Sequence, residues 1–87
     1  MSKITFAEEG WDDYLYWQAQ DRKIVKRINS LLKSIERDGA MNGIGKPEKL
    51  RHREGEYSRR INEADRLVYA VIGDQIIVKS CRGHYEE

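Results

Sequence analysis

The stretch R-L-V-Y-A-V-I-G-D-Q-I-I-V-K-S, residues 66–80, decides the fold. From Arg66 to Ile72 the chain is apolar on both faces, the pattern of a buried central strand. Gly73-Asp74 interrupts the run and offers a tight turn. Gln75 to Arg82 then returns as the next strand. Along the first strand, residues 66, 68, 70 and 72 share one face. Along the second, 76, 78, 80, 82 and 84 do, with Tyr85 pointing the other way. Just upstream, Tyr57 to Asn62 alternates with period two and reads as a neighbouring strand.

Further upstream the period changes. G-A-M-N-G-I-G-K-P, residues 39–47, holds three of the seven glycines and the only proline, so it reads as a loop. Before it, Ile24, Ile28, Leu31, Leu32 and Ile35 fall on one helical face, with Lys23, Lys26, Arg27 and Lys33 mostly off it. Asp21 caps this helix and Asp38-Gly39 stops it. An earlier helix starts near Glu8, its acidic residues Glu8, Glu9, Asp12 and Asp13 suiting a positive N-terminus. Trp11, Tyr14, Leu15 and Trp17 form its aromatic-rich stripe. That stripe reads first as helix–sheet core and second as a contact for another chain. Lys3 to Phe6 reads as an opening strand. The two helices have almost no loop between them, so they should pack as a hairpin against one face of an antiparallel sheet: an α+β fold.

Eighty-seven residues make one small domain with a thin core. No stretch approaches the roughly 20 apolar residues needed to span a bilayer, and no signal peptide pattern is visible, so a cytoplasmic, membrane-free protein is expected. Cys81 is the only cysteine, which excludes an internal disulfide and a thiolate metal cluster. Cys81 reads as a small core residue. Net charge is +1, but residues 46–60 carry six basic side chains against three acidic ones. Such a local patch can bind phosphate without a high overall charge.

The chemistry-bearing residues are few. Arg66 opens the central strand, and a planar guanidinium suits a phosphate clamp. Arg59 and Arg60 are adjacent and point to opposite faces. Arg60 is the better companion for Arg66, because Arg59 alternates with the core residues Tyr57 and Ile61. Glu48 follows Gly45-Lys46-Pro47 in a basic surrounding of Lys46, Lys49 and Arg51. His84 and Tyr85 follow the last strand. His52, between Arg51 and Arg53, is a rival acid or base but reads as a surface residue. Two histidines without supporting carboxylates make no metal site, and G-x-G-K lacks the spacing of a phosphate-binding loop. Each residue alone could be an ordinary surface side chain. Together they supply what RNA cleavage without a metal requires: a base for the ribose 2′-OH, cations for the phosphate and an acid for the leaving oxygen. The aromatic ring of Tyr85 could stack on a base.

At this level of detail the chain resembles the YoeB/Txe-type toxins of the RelE superfamily. The likeness rests on G-W-D-D-Y-L-Y-W at 10–17, I-V-K-R-I-N at 24–29, G-K-P-E-K-L at 45–50, S-R-R-I at 58–61, R-L-V-Y-A-V at 66–71 and C-R-G-H-Y at 81–85. It implies a β-α-α-β-β-β-β order: a helical hairpin on a mainly antiparallel, twisted sheet, spanning residues 1–87 as one toxin domain. It implies an endoribonuclease that cuts mRNA in the ribosomal A site, with no cofactor or metal. By resemblance Glu48 takes the place of the general base, His84 of the general acid, Arg66 of the phosphate-stabilising arginine and Tyr85 of the site-shaping tyrosine. Lys46, Lys49, Arg51 and Arg60 take RNA-facing positions. The resemblance also implies a YefM-like antitoxin partner, a homodimer, and operator DNA bound only by the toxin–antitoxin complex. Three features depart from the pattern. Glu86 and Glu87 follow the His-Tyr pair, the loop H-R-E-G-E-Y at 52–57 is one residue shorter, and Tyr57 stands where tryptophan is common. The alternative reading is a non-catalytic module that binds antitoxin as a co-repressor, or binds RNA.

Overall fold

The computed structural model describes residues 2–83. The elements run β1 (Lys3–Phe6), α1 (Glu8–Gln20), α2 (Arg22–Asp38), β2 (Glu48–Lys49), β3 (Glu56–Arg60), β4 (Arg66–Ile72) and β5 (Gln75–Ser80). The order of elements that the resemblance implies is the observed one. The strands form one mixed sheet in the order β1-β5-β4-β3-β2. Neighbours pair antiparallel except β1 with β5, which run parallel. A pairing between the first and last strands has no local sequence signal, since the alternation of Lys3–Phe6 carries no direction. No helix among the described residues is long and apolar enough to cross a membrane.

One residue, Asp21, separates the helices, and its carboxylate accepts the Lys23 amide at 3.0 Å. That bond satisfies a donor the helix start leaves unpaired. Gly39 closes α2 at φ 93°, its N–H returning to the Ile35 carbonyl at 2.9 Å. The face of Ile28, Leu31, Leu32 and Ile35 is buried against Ile61, Leu67, Tyr69, Ile76, Val78 and Cys81 of the sheet. Fully burying one such aliphatic side chain stabilises by about 1.5–3 kcal/mol. The α1 stripe divides. Tyr14 and Trp17 pack on the core, while Trp11 and Leu15 are 46% and 42% exposed. Trp11 instead meets Phe6 edge to face and stacks with Tyr14 at the sheet's β1 edge.

Pairing register separates the sheet into two faces. Tyr57, Arg59, Ile61, Leu67, Tyr69, Ile76 and Val78 lie under the helices. Glu48, Ser58, Arg60, Arg66 and Val68 lie on the other face, which no helix covers. The alternation expected along residues 76–84 does not hold. Ser80 pairs with Val68 while Val78 pairs with Tyr69, so Lys79 is an extra residue in β5. This bulge inverts the alternation. Ile76 and Val78 face the helices, and Ser80 faces the uncovered side.

Helix α1 approaches β5 closely at Gly10. A Cβ there would lie 2.4 Å from the Val78 carbonyl oxygen. A helical Gly→Ala change ordinarily stabilises by about 1 kcal/mol. Here the sign should reverse: Gly10→Ala should destabilise by about 1–3 kcal/mol, because backbone must move to admit the methyl group. Urea denaturation of the two proteins measures this, and a Gly10→Ala protein at least as stable as its parent would contradict the packing.

Candidate active site

Three of the residues singled out above meet on the uncovered face. Glu48 stands opposite Ser58, Ser58 opposite Val68, and Val68 opposite Ser80, making one row across four strands. The next row holds Arg60 directly opposite Arg66. Strand spacings of ~4.8 Å and a rise of ~3.3 Å per residue put the Cα atoms of Glu48 and Arg66 about 12 Å apart. A carboxylate, a guanidinium and one phosphodiester fill such a gap. Val68 and Ala70, 2% and 6% exposed, form an apolar floor beside them.

The electrostatics are uneven along this face. At one end the Glu56 carboxylate lies 3.0 Å from Arg53 Nε and 4.0 Å from Lys79 Nζ. At the other, neither Arg60 nor Arg66 has a carboxylate within ion-pair distance among the described residues. Arg66 is oriented instead by backbone: its Nη1 donates to the carbonyls of Asn62 at 3.0 Å and Glu63 at 3.3 Å. The turn that presents them is braced by Asn62, which accepts the Ala64 and Asp65 amides, and by Arg27 of α2, which donates to the Arg60 and Ile61 carbonyls. Two arginines paired across neighbouring strands, with no carboxylate partner among the described residues, concentrate positive charge that suits an anion with paired oxygens.

Glu48 arrives by a different route. It is exposed, makes no ion pair among the described residues, and lies in a two-residue strand rather than in the loop itself. Lys46 is exposed two residues earlier, at φ 52°. Lys49 pairs with Tyr57 and so points to the opposite side of β2 from Glu48. Arg51 and His52 lie on the exposed connection beyond Leu50. His84 and Tyr85 lie outside the described residues. The residue before them does not: the Gly83 carbonyl accepts the Arg66 amide at 3.0 Å, and the Gly83 amide donates to Asp65 at 2.7 Å. Two bonds from α1 hold the same segment, the Cys81 amide to Asp13 at 2.9 Å and Trp17 Nε1 to the Cys81 carbonyl at 2.8 Å. The approach to His84 is therefore tied to the strand end that carries Arg66. Arg82 lies over the Tyr16 ring, 3.6 Å from its centroid.

Arg59 lies on the core-facing side, as its alternation with Tyr57 and Ile61 predicts, and is fully buried. Its Nε donates to the Tyr69 hydroxyl at 2.8 Å and its Nη1 to Ser34 Oγ and the Ile44 carbonyl, both at 3.0 Å. Its Nη2 donates to the carbonyls of Gly39 at 2.8 Å and Asn42 at 2.6 Å. Ser34 passes the contact on to Asp38 at 3.1 Å. The Arg37 hydrogen bond, assisted by Ser34 and Arg59, holds the Asp38 carboxyl below its ordinary range. Burial raises the Tyr69 phenol against the opposing pull of Arg59. A charged residue at a core-facing strand position beside a glycine-rich loop is the signal that could have exposed this cluster. Among the described residues, no three His, Cys, Asp or Glu side chains gather as a metal site would require.

The fold and this face together define a class. A solved YoeB/ParE toxin from Agrobacterium tumefaciens, 38% identical, superposes with a TM-score of 0.88 over 95% of this chain and 99% of its own. The chain has the fold of these small bacterial toxins. Residues 6–85 match the family described as the YoeB-like toxin of bacterial type II toxin–antitoxin systems, and the chain belongs to that family. Toxin YoeB of Escherichia coli strain K12 is 52% identical over 84 residues, covering 95% of this chain and 99% of the relative. The Staphylococcus aureus YoeB dimer gives a TM-score of 0.92 at 54% identity, covering 97% of this chain and 98% of the other. A heterotetrameric YoeB–YefM complex from the same organism gives 0.91 at 53%, covering 98% and 99%.

Cys81 reports on the anchored segment. Burial, then the nearby negative charges of Asp13 and Asp65, push its thiol up to about 12. The reactive thiolate is therefore scarce at pH 8. The native protein should resist iodoacetamide at that pH and react fully in urea. Asp13→Ala should raise the native labelling rate, since it releases the Cys81 amide and removes a negative charge. An unchanged rate would mean that Asp13 does not hold this segment.

Proposed function

We propose that the protein is the endoribonuclease toxin of a toxin–antitoxin pair, cutting mRNA in the ribosomal A site without a metal ion. The observation that carries this reading is the row of Arg60 and Arg66 beside Glu48, with Gly83 bonded to the Arg66 backbone one residue before His84. Membership of the YoeB-like toxin family supports it. Glu48 takes the proton of the ribose 2′-OH. The 2′-oxygen attacks the adjacent phosphorus, and Arg66 with Arg60 stabilises the added negative charge. His84 gives a proton to the departing 5′-oxygen, leaving a 2′,3′-cyclic phosphate and a free 5′-hydroxyl. Tyr85 orients the base, while Lys46 and Arg51 contact the strand, and Lys49, on the other side of the edge strand β2 from Glu48, reaches it only around the sheet edge. The roles of His84 and Tyr85 rest on the family motif.

The site is a shallow sheet face, so it does not by itself hold a flexible RNA in line for attack. The ribosome supplies that positioning, converting a rare alignment into a standing one. The S. aureus relatives are solved as a dimer and with YefM. We extend both associations to this chain, with operator DNA bound only by the toxin–antitoxin complex, and place it in the cytoplasm. Purified ribosomes carrying a defined mRNA test the reading. The wild type should cut in the A site, and Glu48→Gln and His84→Gln should each slow cutting by about 10²–10⁴-fold. Intact mRNA with the wild type would leave the non-catalytic co-repressor reading in its place. Full activity in Glu48→Gln would remove Glu48 as the base.

A further inference from the structure

Arg59 occupies a position where an apolar side chain would pack the core at lower cost, because a buried charge loses its hydration. What it holds explains its presence. Four carbonyls of the connection between α2 and β2, those of Gly39, Ala40, Asn42 and Ile44, lie within 2.6–3.4 Å of its terminal nitrogens. The loop closes tightly around them. A Cβ on Gly43 would meet Ser34 Oγ at 2.1 Å, and one on Gly45 would meet Leu31 at 2.6 Å. The next link is the Gly45 carbonyl, which accepts the Arg60 amide at 2.7 Å. Then come Lys46 in the left-handed region, where a side chain is strained, and Pro47 with its ring-fixed φ. Glu48 follows at once. Only three residues separate Ile44 from Glu48, and with Gly45 bonded to β3 and Pro47 fixing its own φ, the guanidinium's hold on Ile44 is carried close to the carboxylate.

We propose that Arg59 is a positioning residue for Glu48: by clamping residues 39–44 to β3 it sets where the carboxylate stands relative to Arg60 and Arg66. This rests on the endonuclease reading for its catalytic consequence, but not for the clamp. Lysine cannot reproduce the five-donor fork, so Arg59→Lys keeps the charge and loses the geometry.

The test follows single-turnover mRNA cleavage on purified ribosomes for Arg59→Lys in wild-type and Glu48→Gln backgrounds. Thermal melts establish the folded fraction, and amide exchange is read at residues 44–49. Folded Arg59→Lys should lose about ten- to hundredfold in the saturating rate, with the half-saturating concentration little changed. The loss should vanish in the Glu48→Gln background. A purely structural role would scale the rate only with the folded fraction and would act equally in both backgrounds. Wild-type cleavage by folded Arg59→Lys, or an equal loss in both backgrounds, overturns the proposal. If the wild type does not cut, the endonuclease reading fails and exchange decides the clamp. Faster exchange at residues 44–49 with β4 still protected sustains it, and unchanged exchange overturns it. Should Arg59→Lys not fold, Ser34→Ala, which removes an acceptor shared by Arg59 and the Ile44 amide, is judged by the same criteria.

Discussion

A single buried guanidinium organises the middle of this chain. Moving such an ion out of water costs several kcal/mol even after the protein relaxes, and the cost is offset only where every donor finds an acceptor. Arg59 meets that condition almost entirely with neutral oxygens: a phenol, a serine hydroxyl and main-chain carbonyls. The Asp38 carboxylate is linked to it through Ser34, which donates to Asp38 and accepts from Arg59. The energetic logic therefore runs in both directions. The loop needs a cation because its carbonyls turn inward and have no strand to pair with. The cation needs the loop because nothing else in the core could satisfy five donors. Removing either partner leaves the other buried and unsatisfied, which costs more than never having had the pair.

The other half of the site depends on a different device. Without the extra residue at Lys79, β5 would continue its alternation unchanged, and the side of Ile76 and Val78 would govern everything after it. One inserted residue exchanges the faces just before the chain leaves the sheet. Cys81 turns inward, its Sγ 3.7 Å from the Gly10 carbonyl, and Ser80 joins the row of Glu48 and Ser58. Bonds from Asp13, Trp17 and Asp65 then hold residues 81–83. Two devices thus shape this face as far as it is described: the Glu48 side is tied to the core by a cation, and residues 80–83 follow a bulge.

Much of this was legible in the residues. The α2 face and the doubly apolar 66–72 run are long and strongly periodic, and both elements lie where that periodicity places them. Alternation along β3 also separated the two adjacent arginines, and pairing puts Arg60 across from Arg66 while Arg59 goes inside. The rest could not be read, for physical reasons. Two residues, Glu48 and Lys49, are too few to show a period, so β2 was hidden inside a loop. The bulge leaves no mark, because I-I-V-K-S alternates acceptably in either register. Direction in the β1–β5 pair is a long-range property. Trp11 could not be assigned to core or surface by spacing alone, since its exposure depends on where the β1 edge lies.

The basic corner also bears on how the chain meets its target. Like charges directly opposite on neighbouring strands destabilise a sheet, and Arg60 and Arg66 are such a pair. Their repulsion is relieved when an anion sits between them, so the corner is better suited to a bound phosphate than to an empty site. With a net charge of +1, however, the molecule as a whole exerts little pull on a polyanion. At physiological salt the field of two arginines fades within about 8 Å. Such a surface is suited to a phosphate already delivered to it and ill suited to gathering one from solution. On the proposed function, that explains a division of labour: the ribosome brings the strand and holds it, and the sheet contributes a short-range arrangement of one carboxylate and two guanidinium groups. Adding positive charge broadly would strengthen RNA binding everywhere and erase that dependence. The balanced composition around a local cluster keeps it.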